Sequence, residues 1–248
     1  MSTNVVCTIE NHATLFALFA KYASVLAGAN GRKAILAGVT KYGNERGARM
    51  AEKARLEGDP ITPATYQAYG EWVIEYPDQM IFENVRNEPS FQTRIYGCGW
   101  CNAWRKHDLL QYGKLYCVDI DNAVYQGFIP EYACTPVGKF MSSGNESCTY
   151  DWEGTVTEEE LQEVERIKKR IGLKYKKDFN YHTSHLFNTV SGVIKEKCPD
   201  EAQAIIKLAT DDYVGIFGQP YLDVLTIEDK EWFFNKLKQA TETEAKVG

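Results

Sequence analysis

Apolar residues recur at helical spacing at both ends of this 248-residue chain, and this pattern constrains the fold more than any other feature. It predicts one helix over residues 11–28 and a second over residues 32–56. Thr62 and Pro63 have the pattern of an N-cap and first turn, which predicts a third helix reaching toward Ile74. The first part of the chain is therefore predicted to be helical.

The middle of the chain has strand patterns instead. Apolar residues stand on both sides of the turn signal Asn87-Glu88-Pro89, which predicts two short strands joined by a turn. The predicted elements of this middle part are two strands within residues 80–96, helices over residues 101–110 and 113–126, and strands over residues 132–141 and 147–153.

The remainder of the chain is again helical in pattern. Thr157 and Glu160 form the Thr-x-x-Glu pattern of a capping box, which predicts a helix that runs to Ile171. Further helices are predicted over residues 181–197, over residues 200–217 and from Thr226 onward, before a polar tail over residues 241–248.

Together these patterns predict an α+β fold, in which a central antiparallel sheet is flanked by N-terminal and C-terminal helical pairs. Residues 1–154 are predicted to form the helical opening and a cysteine-rich α+β core. Residues 155–248 are predicted to be a helical extension packed on the same domain.

Charge and hydropathy exclude several kinds of partner. The net charge is −6 and the 28 Lys and Arg residues form no basic stripe, so nucleic acid is not expected as a ligand. The N-terminus lacks a signal-peptide pattern, and no stretch approaches the ~18 apolar residues of a membrane span. We expect a soluble, cytoplasmic protein that acts on a small molecule, with a homo-oligomer as an open option.

Cysteines are concentrated in the middle of the sequence. Of the seven cysteines, five fall in one third of the chain: Cys98, Cys101, Cys117, Cys134 and Cys148. In a reducing cytosol such a cluster indicates catalysis, metal binding or simple burial rather than disulfides. For Cys134 the structural interpretation is favoured, because free cysteine is among the most often buried residue types.

Four of these cysteines and one aspartate are candidates for catalysis. Cys98 and Cys101 lie where a predicted strand leads into a predicted helix, and a helix N-terminus favours the thiolate form. Cys117 and Asp121 are four residues apart, so on one helix they would share a face, and the carboxylate there could take a proton. Cys148 completes the catalytic set. Packing without chemistry is the alternative for each cysteine.

Other side chains are candidates for substrate binding. Arg46, in the glycine-containing run YGNERGARM, suits a bidentate contact with a substrate carboxylate, with a solvated helix face as the alternative. His107 and Tyr125 are the other predicted binding residues. His182 and His185 are one turn apart and have the spacing of metal ligands, but no acidic partner is near in sequence.

No cofactor is predicted from the motifs. Glycine-rich phosphate-binding patterns are absent, as are the GxSxG and HExxH motifs. A CxxC pair at Cys98 and Cys101 has ligand types that zinc accepts, but the second close pair of a structural zinc site is missing. We therefore expect no cofactor, with zinc as the alternative.

The sequence over residues 42–152 resembles the L-2-amino-thiazoline-4-carboxylic acid hydrolases. The likeness is carried by Cys98 in GCGWCNAW, by Cys117 and Asp121 in YCVDID, and by Cys148 in SSGNESC. It implies hydrolytic opening of a small cyclic C–N compound, with Cys98 attacking the ring carbon or positioning water, Asp121 managing the proton, and the other two cysteines lining the pocket. The sequence following Cys148 departs from the family's Cys-Asp-Phe, and Cys101 is a second candidate nucleophile.

A second resemblance points to a different class of protein. The stretch over residues 117–148 is also similar to the end of 4-vinyl-reductase-type sensor domains, which bind zinc beside a hydrophobic pocket. In that interpretation the ligands are Cys117, Cys134 and Cys148, with Glu131 or Glu146, and no turnover occurs.

Overall fold

The structure is a computed structural model that describes residues 5–225. The helices are Ile9–Leu26 (α1), Gly28–Leu56 (α2), Pro63–Ala68 (α3), Gly99–Lys106 (α4), Leu110–Gly113 (α5), Ile120–Phe128 (α6), Glu158–Ile171 (α7), Phe179–Lys197 (α8), Ala202–Phe217 (α9) and Gln219–Leu225 (α10). The strands are Met80–Arg86 (β1), Phe91–Cys98 (β2), Cys134–Val137 (β3) and Cys148–Trp152 (β4), and a 3-10 helix spans Met141–Ser143.

The four strands form one antiparallel sheet in the order β1-β2-β4-β3. Ile95 on β2 is paired with Cys148 at the start of β4. Cys134 on β3 is paired with Trp152 at the end of β4. The α+β prediction with an antiparallel sheet is therefore confirmed, and both predicted strand pairs are present.

The helices from the two ends of the chain pack on one another. α1 contacts α2, α8 and α9, while α2 also packs along α8 and α6. Phe16, Tyr42, Leu186 and Tyr213 are fully buried in this helical layer. Since α6 also contacts β3, it joins the helical layer to the sheet.

Two glycines bring α2 and α6 unusually close together. A Cβ atom at Gly47 would lie 2.0 Å from the carbonyl oxygen of Val124, and one at Gly43 would lie 2.5 Å from Cβ of Ala123. Only glycine permits this approach, because any side chain would overlap the backbone of α6. The contact holds the part of α2 that carries Arg46 against α6.

Helix starts follow the capping pattern read from the sequence. The Thr157 hydroxyl accepts a hydrogen bond from the backbone N–H of Glu160, whose side chain bonds back to Thr157, so the predicted capping box is confirmed. Thr62 caps α3 in the same manner through the N–H of Thr65.

Within residues 5–225 no helix has both the length and the apolar character that crossing a membrane requires.

Several predicted boundaries are wrong. α3 ends at Ala68 rather than near Ile74, because the following chain leaves the helix and buries Glu71 among arginines. α2 begins at Gly28, four residues earlier than predicted, and α10 was not predicted at all. The helix predicted from Thr226 and the tail over residues 241–248 lie outside the described residues.

The single helix predicted over residues 113–126 is also wrong. The chain forms successive turns after α5, and α6 begins at Ile120 with Asp119 as its N-cap. Asp119 accepts hydrogen bonds from the hydroxyl of Thr40 and the side-chain amide of Asn122. These bonds fix the start of α6 one residue before Asp121.

Candidate functional site

A cavity of about 150 Å³ lies between α2, α6 and the sheet. Its wall is mostly apolar and aromatic, and the rings that line it are Tyr66, Trp72, Trp100, Trp104, Tyr116 and Tyr150. Four kinds of polar group also line the cavity and can take part in chemistry or carry charge: cysteine thiols, the carboxyl group of Asp121, tyrosine hydroxyls and the guanidinium group of Arg46. A small, largely apolar cavity with a few convergent polar groups is typical of a small-molecule site.

Three cysteines far apart in sequence line this cavity, and we call them the thiol wall: Cys98, Cys117 and Cys148. Cys98 is the N-cap of α4, Cys117 lies in the turn before α6, and Cys148 is the first residue of β4. Cys117 and Asp121 do not share a helix as predicted, but the start of α6 still brings both to the cavity.

Burial keeps the thiol wall protonated. It raises the pKa of Cys98 to about 12, although backbone N–H groups at the start of α4 oppose the shift. Burial also raises the pKa of Cys148, and that of Cys117 well above the ordinary value. The sequence predicts a thiolate at the N-terminus of α4, but the desolvation of the buried sulfur raises the pKa more than the helix N-terminus lowers it.

Asp121 is the carboxylate of the cavity. Burial raises its pKa, while a hydrogen bond with Tyr150 and the positive charge of Arg46 oppose that shift. Asp121 lies in the first turn of α6, where the helix dipole also favours a negative charge. An aspartate with a raised pKa is a stronger proton acceptor than an exposed one, as a general base requires.

Arg46 reaches the cavity from a buried ion cluster, which we call the arginine cluster: Arg46, Arg49 and Glu71. The carboxylate of Glu71 is 3.0 Å from Nε of Arg49 and 3.5 Å from Nε of Arg46. All three side chains are less than a fifth exposed, with fractions of 7 % for Arg46, 17 % for Arg49 and 6 % for Glu71. The cluster therefore buries two positive charges with one negative charge.

Three predicted site residues do not line the cavity. Cys101 is buried in the helical core. His107 pairs with Glu10 at 2.7 Å, and the hydroxyl of Tyr125 donates to the backbone carbonyl of Glu153 at 2.7 Å. The fold thus brings Arg46 and Asp121 to one cavity with the thiol wall, and leaves these three outside it.

The alternative zinc ligands are not assembled by the fold. Cys134 is opposite Trp152, four residues along β4 from Cys148. At about 3.4 Å per residue the two backbones are about 14 Å apart, too far for one zinc ion to bind both sulfurs at about 2.3 Å. Within residues 5–225 no group of three or more His, Cys, Asp or Glu side chains is arranged to bind a metal ion.

Two important contributors were missed by sequence reasoning. Glu71 lies within the helix predicted to reach toward Ile74, and no local pattern indicates that it will be buried between arginines. Tyr150 stands on β4 one alternation step after Cys148, so its face could have been derived from the strand periodicity. The aromatic rings of the cavity come from five separate segments, which only the tertiary fold brings together.

A small, largely apolar cavity that combines a carboxylate, neutral thiols and an arginine is typical of the class of proteins that act on small molecules. The family model described as L-2-amino-thiazoline-4-carboxylic acid hydrolase matches residues 7–152, more than half of the chain. The chain therefore belongs to this family of hydrolases, as the resemblance in the sequence predicted. Comparisons with curated proteins and with solved structures found no match.

Proposed function

We propose that the protein hydrolyses a small ring that contains a C=N unit and carries a carboxylate, and that the reaction takes place in the cavity. The observation that carries this proposal is the convergence of Asp121, Arg46 and the thiol wall on one cavity. A cavity of about 150 Å³ admits a ligand of the size of benzene. A single five-membered ring with a short substituent has this size, whereas sites for drug-sized ligands usually span about 300–1,000 Å³.

Asp121 is the general base of the proposed reaction. It takes a proton from water while the water oxygen bonds to the ring carbon, and the C=N electron pair moves to nitrogen. As the carbonyl then forms, the remaining hydroxyl proton of the adduct passes to this nitrogen and one bond from that carbon to a ring heteroatom breaks. The departing heteroatom receives the proton held by Asp121. One water is consumed, and no oxidant or reductant is needed.

The raised pKa values favour water over a thiolate as the nucleophile. With a pKa of about 12, Cys98 is almost entirely a neutral thiol near neutral pH. The thiol wall then serves as a polarisable surface that packs against the ring, which suits a ring that contains sulfur. Direct attack by Cys98 is the competing mechanism.

Turnover of 2-amino-thiazoline-4-carboxylate, followed by mass spectrometry in ¹⁸O-labelled water, tests the proposal. We expect ring opening with one labelled oxygen in the product and no adduct on the protein. Asp121→Asn should lower kcat by about 10²- to 10⁴-fold, the usual contribution of general-base catalysis. Cys98→Ser should keep most of the activity.

Other results would point elsewhere. A covalent adduct on Cys98, together with an inactive Cys98→Ser variant, would replace water attack by thiol attack. Full activity of Asp121→Asn would remove the assigned base. Binding of the ring without turnover, with stoichiometric zinc in the purified protein, would support the sensor interpretation instead.

A further inference from the structure

Arg46 lies beside a buried carboxylate without forming a hydrogen bond to it. Its Nε is 3.5 Å from Oε2 of Glu71, and this Nε has no hydrogen-bond partner within residues 5–225. A buried donor without a partner costs about 1–3 kcal/mol, more when the group is charged. The arrangement is unusual because a suitable acceptor is so near.

The acceptor is already occupied by Arg49. Nε of Arg49 donates to Oε1 of Glu71 and Nη2 donates to Oε2, both at 3.0 Å. This is the two-pronged geometry in which one guanidinium group engages both oxygens of a carboxylate. Arg49 thus uses one acceptor position on each oxygen of Glu71 and holds the carboxylate in an orientation that leaves Nε of Arg46 beyond normal hydrogen-bond distance.

Arg49 is held in this position from its other side as well. Its Nη2 is 3.3 Å from Nδ1 of His185, which must accept because arginine has no acceptor. Nε2 of His185 then carries the proton and donates to Glu45 at 2.7 Å. The guanidinium group of Arg49 also lies over the ring of Tyr181, 5.4 Å from its centre. Arg49 is therefore fixed from three directions.

The two arginines consequently differ in role although they are three residues apart on α2. Arg46 lines the cavity, whereas Arg49 does not. If Arg49 were absent, Glu71 would need to move by only about half an ångström to form a normal hydrogen bond with Arg46. Arg46 would then be neutralised by an internal partner, and a ligand anion would have to compete with Glu71.

We propose that Arg49 is a positioning residue that occupies both oxygens of Glu71 and thereby keeps Arg46 available to the anionic group of the substrate. This inference rests on the proposed function, because it assumes a carboxylate on the ring. Arg49 itself never contacts the substrate. Selectivity for an anionic ring is therefore determined by Arg49 and Glu71, which do not line the cavity.

A binding measurement with an unreactive ring tests this inference without requiring turnover. Thiazole-4-carboxylate is the probe, uncharged thiazole is its control, and the fluorescence of the tryptophans lining the cavity reports binding. The wild-type protein should prefer the carboxylate. Arg49→Met should weaken carboxylate binding by at least about 10-fold, the lower bound for a lost hydrogen bond to a charged group, and leave thiazole binding unchanged.

The double variant Arg49→Met/Glu71→Gln provides the decisive comparison. With the charge of Glu71 also removed, Arg46 should be released and carboxylate binding should recover, which a merely structural role of Arg49 would not produce. Arg49→Lys, which cannot engage both oxygens, should have intermediate affinity. Arg170→Met, which removes an ion pair with Asp59 remote from the cavity, is the matched control and should bind like the wild type.

The two proposals fail in different ways. A wild-type protein that binds thiazole as tightly as the carboxylate would overturn the carboxylate part of the proposed function. A wild-type preference that persists in Arg49→Met would overturn the role of Arg49 alone. Loss of the preference in both Arg49→Met and the double variant, with circular dichroism showing both to be folded, would also overturn it.

Discussion

The thiol wall and the arginine cluster meet at the same cavity, but the surrounding protein treats charge in opposite ways in the two regions. Burial keeps the thiols of the wall neutral, and their few polar contacts are weak, such as the 3.1 Å bond from the N–H of Met141 to Sγ of Cys148. The side chains of the arginine cluster instead stay charged although they are buried, because Arg49 donates hydrogen bonds to Glu71 and His185. Under the proposed function, the arginine cluster orients the ligand by charge, while the thiol wall supplies a neutral surface for the ring.

Arg46→Met should have the largest effect of the variants that test this comparison, because it removes the positive charge that lines the cavity. Loss of a charge-assisted contact should raise KM for a carboxylated ring by about 10- to 150-fold, with a smaller effect on kcat. KM and kcat measured with 2-amino-thiazoline-4-carboxylate check this expectation. An unchanged KM would mean that the arginine cluster does not bind substrate.

Gly47→Ala should disturb the spacing between Arg46 and Asp121. The added methyl group would lie 2.0 Å from the carbonyl oxygen of Val124, so α6 must move away from α2. We expect a loss of about 3 kcal/mol in the free energy of unfolding, measured with urea, because overpacking of this kind usually costs about 1–3 kcal/mol. Gly192→Ala on α8 is the matched control: its methyl group meets no atom within 4 Å and should stabilise the helix slightly. Equal stability of the two variants would contradict the close packing.

Stability should decrease in acid because of the histidines behind the arginine cluster. Burial lowers the pKa of His12, His182 and His185 below that of an unfolded chain. The folded protein therefore binds fewer protons, and the free energy of unfolding should fall once the pH drops below about 6.5, by up to about 1.4 kcal/mol per pH unit for each histidine. The raised pKa values of Asp121 and Glu75 act in the opposite direction, whereas the lowered pKa values of Glu45 and Glu57 add to the loss of stability in acid.

Urea unfolding at pH 7.5 and pH 5.5 measures this dependence. His182→Gln should reduce it, because one buried histidine no longer has to gain a proton. The same change of stability with pH in this variant and in the wild type would show that His182 does not contribute.

Cys148→Ser should have the smallest effect. Serine has nearly the same volume, keeps an acceptor for the N–H of Met141 and can form a hydrogen bond with the neighbouring Tyr150 hydroxyl. The free energy of unfolding should therefore change by less than about 1.5 kcal/mol. Turnover should remain close to that of the wild type. A complete loss of activity would mean that the thiol wall takes part in bond formation.

Much of the fold follows from the sequence because its signals are local. The helical periodicity of α1, α2, α8 and α9 and the capping box of α7 depend on residues a few positions apart. The boundaries that were missed depend on distant partners. α3 stops early where Glu71 turns toward arginines of α2, and the break before α6 includes a hydrogen bond from Thr40 to Asp119.

The candidate site could be predicted only in part for the same reason. The sequence singled out Arg46, Asp121 and the cysteines by their chemistry, and five of these residues reach the cavity. It could not separate Cys98 from Cys101, because a shift of less than one helical turn places one thiol in the cavity wall and the other in the core. The thiolate expectation also required knowledge of burial, which periodicity does not supply.

Arg49 is held by His185 of α8, and α8 lies beyond residues 7–152, the segment that defines the family. If Arg49 has the proposed role, the choice between charged and uncharged rings depends on a helix that forms no wall of the cavity. In that case a substitution in α8 can change the substrate preference while every residue touching the ring stays the same.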